Sequence, residues 1–422
     1  MPLKSVAKRA IPLFGLLVAL LAAVPAAGAT TGLQPLQSDL ARQLALAGPH
    51  DGAYVYDITA KQALFSERAA VARPPASVEK LYTATTALAT MGPEARLSTN
   101  VYGVGQLLPG GLWEGSIYLR GGGDPTFGTS AVISRLYGGV GTSVSTIVEQ
   151  LVTVAGIHHI TGSVIADETF FDARRGEPSS GYRFDPFLEG TLSGVAFNRG
   201  AGLGHRASAP AAYAARALWG ALKARGVSIR GSSAVGTTPA GAALLAHVES
   251  PTLAQLLGLT LPPSDNFFAE TILKDLGARF GGAGSTAAGA AVVKRTIAKI
   301  FAMRPRIVDG SGLSRADRTS PYEVVNMLAG IATLPFAGVL KADLAVAGRS
   351  GTLERRMRGT TAAGRCRAKT GTLIGASNLA GYCESVGGHL LAFAIFNDGI
   401  STEAAHTFQD HMAITIASYE GP

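Results

Sequence analysis

Ser77 and Lys80 stand three residues apart in Ala76-Ser77-Val78-Glu79-Lys80-Leu81-Tyr82, a spacing that puts a hydroxyl and an amine on one helix face. A neutral lysine beside a serine is a base beside a nucleophile, the pair that acyl transfer requires. Pro74 and Pro75 suit a helix entrance, where the first turn leaves unpaired the N–H that proline lacks. Val78, Leu81, Leu88 and Met91 form an apolar stripe at helical spacing, and Gly92-Pro93 ends it. The spacing alone is weak, because Ser5-Val6-Ala7-Lys8 shares it.

Two further groupings could complete a site. Ser264-Asp265-Asn266 follows Pro262-Pro263 and precedes a helix-like run over 267–276. Lys369-Thr370-Gly371-Thr372 lies on a strand-like run. Ser98-Thr99-Asn100 competes with the first of these, but it enters a strand pattern of its own.

The elements that must position these groups alternate in texture. Residues 33–46 pattern as an amphipathic helix, and 52–57 with 63–67 as a hairpin around residues 58–62. From about residue 96 short strands and glycine turns take over, with helical patterns at 145–155 and 211–226. This region closes near His247, and 96–247 reads as an insertion. Residues 253–331 are mostly helical. Three strand-like runs at 366–372, 378–385 and 389–397 suggest a meander, and 402–419 a closing helix. Strands at both ends of the chain suggest one sheet built from both termini. The domain reading is a signal at 1–29, a discontinuous unit of 30–95 and 248–422, and the insertion 96–247.

Composition narrows the classes. Lys4, Lys8 and Arg9 followed by an apolar core over 11–24 and Ala27-Gly28-Ala29 read as a secretory signal cleaved after residue 29, with Ala26 as a competing site and an uncleaved anchor as the alternative. No later stretch is long and apolar enough to span a membrane. Cleavage lowers the formal charge of the 422-residue chain from +8 to +5, a mild and scattered excess that does not indicate a nucleic-acid protein. Cys366 and Cys383 are the two cysteines; an oxidising compartment permits a bridge. A turn over 373–377 would set them opposite each other across the hairpin. The eight histidines are scattered and lack ligand spacing, so no metal and no cofactor is expected. Gly282-Ala283-Gly284-Ser285-Thr286-Ala287 fits a dinucleotide fingerprint only loosely, because a helix pattern precedes it where a strand is required.

S-x-x-K, S-D-N and K-T-G in this order are the motif set of penicillin-binding proteins and class A β-lactamases. The chain resembles the class C low-molecular-mass penicillin-binding proteins, the D-alanyl-D-alanine carboxypeptidases/endopeptidases. Residues 121–126, 309–315 and 348–353 are also similar to segments typical of that family. The resemblance implies an α+β fold, with a serine β-lactamase/penicillin-binding transpeptidase-like domain whose antiparallel sheet is flanked by helices and which carries a strand-rich insertion. It implies peptidoglycan stem peptides as substrates, β-lactams as covalent inhibitors, and an exported location in periplasm or cell wall. The 187 positions from Ser77 to Ser264 are few for the family, which implies a reduced accessory subdomain.

Ser77 is then the nucleophile, and Lys80 its base once burial and the nearby Lys369 charge lower its pKa. Ser264 relays the proton, and Asn266 holds Lys80 and a substrate amide. Lys369 and Thr370 take the terminal carboxylate, and Gly371 permits close backbone approach. The resemblance assigns the oxyanion hole to the N–H groups of Ser77 and Thr372. Arg315 is a candidate for an acidic group on the stem peptide, or equally a turn residue. Two other functions compete. A class A β-lactamase carries an E-x-x-x-N segment for deacylation, which this chain lacks. A non-catalytic sensor of penicillin or glycan strands is opposed only by the presence of every catalytic side chain.

Overall fold

The computed structural model describes residues 32–200 and 209–421; the signal at 1–29 lies outside them. The chain starts with the helix Leu33–Ala47 and the hairpin of β1 (Gly52–Asp57) and β2 (Gln62–Glu67). The strands that follow are β3 (Ser98–Leu108), β4 (Leu112–Gly121), β5 (His159–Ile160), β6 (Val164–Asp167), β7 (Ser228–Ile229), β8 (Ser233–Val235) and β9 (Ala243–Glu249). Last come β10 (Ala345–Val346), β11 (Cys366–Leu373), β12 (Ala376–Glu384) and β13 (Leu390–Asp398).

Two sheets result. The first has the order β10-β11-β12-β13-β1-β2, so the two ends of the chain do meet, in the antiparallel pairing of β1 with β13. Strand alternation gives this sheet two apolar faces. Ala392, Ala394 and Phe396 face a core with Leu81, Leu273, Val293 and Leu328 of the helices between Lys80 and Ile331. Leu391, Phe393 and Ile395 face Leu36, Leu40 and Leu44 of the first helix and Met412 and Ile416 of the last, Thr402–Ala417. The sheet is thus covered on both sides, and its strands read as nearly continuous apolar runs.

The second sheet holds β3 to β9. β3 pairs with both β4 and β9, which brings residues 98–103 beside 243–249. Its core packs Trp113, Ile117 and Val164 against Leu218 and Leu222 of the helix Pro210–Ala224. The helical pattern at 145–155 is one turn and a half of α-helix, Val144–Glu149, continued by a π-turn, Gln150–Val154.

The meander register sets Cys366 opposite Cys383, and the two are disulfide-bonded. Residues 281–285, which carry the loose glycine fingerprint, join the helices Asn266–Phe280 and Thr286–Phe301. Among the described residues no helix is long and apolar enough to cross a membrane.

Candidate active site

Ser77 sits on a 3-10 turn, Ala76–Glu79, that runs straight into the helix Lys80–Met91. The turn is forced open just before the serine: Ala76 has φ 48°, in the left-handed region. Three neighbours hold it there. Asn378 on β12 donates its amide hydrogens to the carbonyls of Pro74 and Pro75, at 2.9 and 2.8 Å. Gly371 on β11 lies so close that a Cβ would stand 2.5 Å from the Pro75 oxygen and 3.2 Å from the Ser77 nitrogen. Gly312 has φ 81°, and a Cβ there would meet the Ala76 oxygen at 1.9 Å. Only glycine allows both approaches.

Lys80 is buried and its Nζ has three acceptors. It donates to Ser77 Oγ at 3.0 Å, to Asn266 Oδ1 at 2.6 Å and to the Ser311 carbonyl at 2.7 Å. Burial lowers its pKa to about 8, while the carboxyls of Asp309, Glu270, Asp265 and Glu79 pull the other way. Lys80 and Lys369 repel each other as cations, and the deeper effect falls on Lys369. Lys369 is wholly buried, its pKa is driven well down by desolvation and by the Lys80 charge, and its Nζ donates to the Thr370 carbonyl at 2.9 Å.

Asn266 opens the helix Asn266–Phe280, whose N-cap Asp265 accepts from the Phe268 N–H at 2.9 Å. The Asn266 amide is spoken for at both ends. Its Oδ1 faces Lys80, and its Nδ2 donates to the Phe187 carbonyl at 2.8 Å. Ser264 stands on the preceding turn with φ 67°. Among the described residues its hydroxyl has no hydrogen-bond partner. Thr370 Oγ1 donates to Thr352 Oγ1 at 2.8 Å, which ties the strand to the 348–353 segment.

Ser77 and Asn266 open on a cleft of about 560 Å³. Thr372 and Arg315 also line it, and so do Ser179, Asp185 and Phe187 from the segment between β6 and β7. Arg315 donates to the Ile374 carbonyl at the tip of the β11–β12 turn, so it both bonds a turn and faces the cleft.

Sequence reasoning missed the acidic floor of the site. Glu79, Glu270, Asp309 and Asp317 are all buried, and burial followed by repulsion from neighbouring carboxyls raises Glu79, Glu270 and Asp317. For Asp309 the first cause is again desolvation. Three of them grip one loop. Asp309 accepts from the N–H of Gly312 and of Ser314, both at 2.7 Å, Asp317 from Val308 at 2.6 Å, and Glu270 from Gly310 and Ser311, both at 2.8 Å. The available signal was Asp309 with its glycines at 310 and 312, seen as a motif but not as a scaffold.

The chain matches the D-Ala-D-Ala carboxypeptidase 3 (S13) family over residues 34–182 and 188–419. It is 30% identical to the D-alanyl-D-alanine carboxypeptidase of Actinomadura sp. (strain R39), over 95% of this chain and 88% of that one. It is 31% identical to carboxypeptidase DacB of Mycolicibacterium smegmatis, over 86% of this chain and 81% of that one. Its fold is similar to that of penicillin-binding protein 4 (dacB) from Haemophilus influenzae. That comparison has a TM-score of 0.74 at 19% identity and covers 90% of this chain and 99% of the other.

Proposed function

Because the chain belongs to the D-Ala-D-Ala carboxypeptidase 3 (S13) family, we propose that Ser77 is the nucleophile with which this serine D-alanyl-D-alanine carboxypeptidase attacks peptidoglycan stem peptides. The observation that carries this assignment is the 3.0 Å hydrogen bond between Lys80 Nζ and Ser77 Oγ, with the Lys80 pKa lowered to about 8.

Neutral Lys80 takes the Ser77 proton as Oγ attacks the carbonyl carbon between the two D-alanines. The resulting oxyanion is held by the N–H groups of Ser77 and Thr372. The C–N bond then breaks, and the proton passes to the leaving amine through Ser264, whose unpartnered hydroxyl is available for it. Free D-alanine departs and water hydrolyses the ester. Lys369 and Thr370 receive the terminal carboxylate: the buried Lys369 regains its proton as the anionic carboxylate binds, and the Thr370 hydroxyl can turn from Thr352 to the ligand. Asn266 orients Lys80; its amide hydrogens reach a substrate only by leaving Phe187. Arg315, on the cleft wall, faces the stem peptide's acidic groups. A β-lactam follows the same path as far as the ester, but its ring amine stays tethered to the acyl group.

Residues 30–95 and 248–422 act as one discontinuous catalytic unit, with 96–247 as an insertion that supplies part of the cleft wall. Export follows from the leader-like residues 1–29.

The test is D-alanine release from a D-Ala-D-Ala stem peptide, alongside cleavage of a cross-linked dimer. Wild type releases D-alanine and Ser77→Ala does not. Equal release by both would remove Ser77 from the reaction, and dimer cleavage alone would make the enzyme an endopeptidase.

A further inference from the structure

The helix Asn266–Phe280 presents Asn266 and Glu270 four residues apart, hence on one face. Asn266 reaches Lys80 directly. Glu270 reaches it through one peptide unit. Its Oε1 accepts the N–H groups of Gly310 and Ser311, both at 2.8 Å, and the Ser311 carbonyl accepts from Lys80 Nζ at 2.7 Å. The same loop is held from the far side, where Thr83 Oγ1 donates to the Gly310 carbonyl at 3.1 Å. Gly310 itself is pressed against the helix, since a Cβ there would lie 2.7 Å from Leu273 Cβ and 2.9 Å from the Ala269 oxygen. Glu270 is fully buried, and its second oxygen has no partner. A buried carboxyl in that state is costly unless something else is gained from it.

We infer that Glu270 is a positioning residue for acylation: by clamping two consecutive N–H groups of the 310–311 loop, it aims the Ser311 carbonyl at Lys80 and so aims Lys80 at Ser77. The inference rests on Ser77 and Lys80 being the acylating pair. Two acceptors, Asn266 Oδ1 and the Ser311 carbonyl, hold an amine that must point its remaining valence at a hydroxyl. Loss of either lets the amine swing within its pocket, and a misplacement of about 1 Å costs about 100-fold in rate.

The charges around Glu270 come from four elements: Asp309 on the loop, Glu79 on the nucleophile turn, Lys80 on the next helix and Lys274 one turn along its own. Ionised Glu270 would favour protonated Lys80. Replacing it by an amide keeps an acceptor for both N–H groups and removes that charge.

The experiment measures the second-order rate of benzylpenicillin acylation across pH 6–9, by intact mass, for wild type, Glu270→Gln and Glu270→Ala. Burial and Asp309 raise the Glu270 pKa to about 8, so below that value the side chain is already neutral, and Glu270→Gln is expected to acylate within about 3-fold of wild type. Glu270→Ala is expected to lose about 100-fold. Wild-type speed in Glu270→Ala would overturn the inference. So would a Glu270→Gln that folds but is as slow as alanine. If alanine does not fold, Glu270→Met, which fills the space without offering an acceptor for the two N–H groups, takes its place with the same expected loss. Failure of wild type to acylate would instead count against the Ser77 assignment itself.

Discussion

At the scale of single residues, the chemistry reduces to keeping one lysine neutral while it is surrounded by carboxyls. Burial does this for Lys80, bringing its pKa to about 8 against the pull of Asp309 and three further acids. The base form is the one present above that value, so the acylation rate should climb as pH rises toward and through about 8. Lys80→Met should lower it by at least about 100-fold at every pH, since general-base assistance is worth about that much or more. A rate that is flat from pH 6 to 9 would show that Lys80 is not the base. Ser77, Lys80, Asn266 and Lys369 stand in motifs visible in the sequence, and the fold brings Ser77 and Asn266 onto Lys80. Glu270 and the Ser311 carbonyl belong to no such motif. A carboxyl acts on a lysine 190 positions away only after a loop from a third part of the chain is placed between them, and a backbone carbonyl leaves no mark on residue identity.

At the scale of elements, the site depends on how closely β11 approaches the nucleophile turn. Gly371 makes that approach possible, and Asn378 on the neighbouring strand ties the turn down through two proline carbonyls. In Gly371→Ala the new methyl would overlap the Pro75 oxygen, a contact with rigid backbone. The strand and the turn must then separate. We expect a folded protein whose circular dichroism is unchanged and whose acylation falls by about 100-fold; a rate within a few-fold of wild type would mean that the turn can shift freely. The meander was legible because its turn residues and paired cysteines imply one register, the one observed. The left-handed Ala76 and the π-turn at Gln150–Val154 were not, because tertiary contacts impose them on residues with no local preference for them.

At the scale of the whole molecule, the segment between β6 and β7 reaches the cleft that Ser77 lines. Its Arg199 forms a two-pronged bond to Asp265, at 2.7 and 3.0 Å, and Lys274 bonds Asp172 at 2.6 Å. Asp265 also caps the helix that starts with Asn266, so this ion pair joins that segment to the hydrogen-bond partner of Lys80. Arg199→Ala should therefore destabilise the protein by about 3–5 kcal/mol, the cost of leaving a largely buried carboxylate alone. Thermal unfolding measures this, and an unchanged midpoint would show that the two parts are held together by other contacts. In the sequence residues 96–247 differ in texture from their flanks, but the reach of Ser179, Asp185 and Phe187 into the cleft depends on how the two sheets pack, which no local pattern encodes. The most direct measurement of the central claim is peptide mapping of the protein after brief exposure to benzylpenicillin. The account predicts a single penicilloyl group on Ser77, absent from Ser77→Ala. A stable adduct on any other residue, or one that persists in Ser77→Ala, would contradict it.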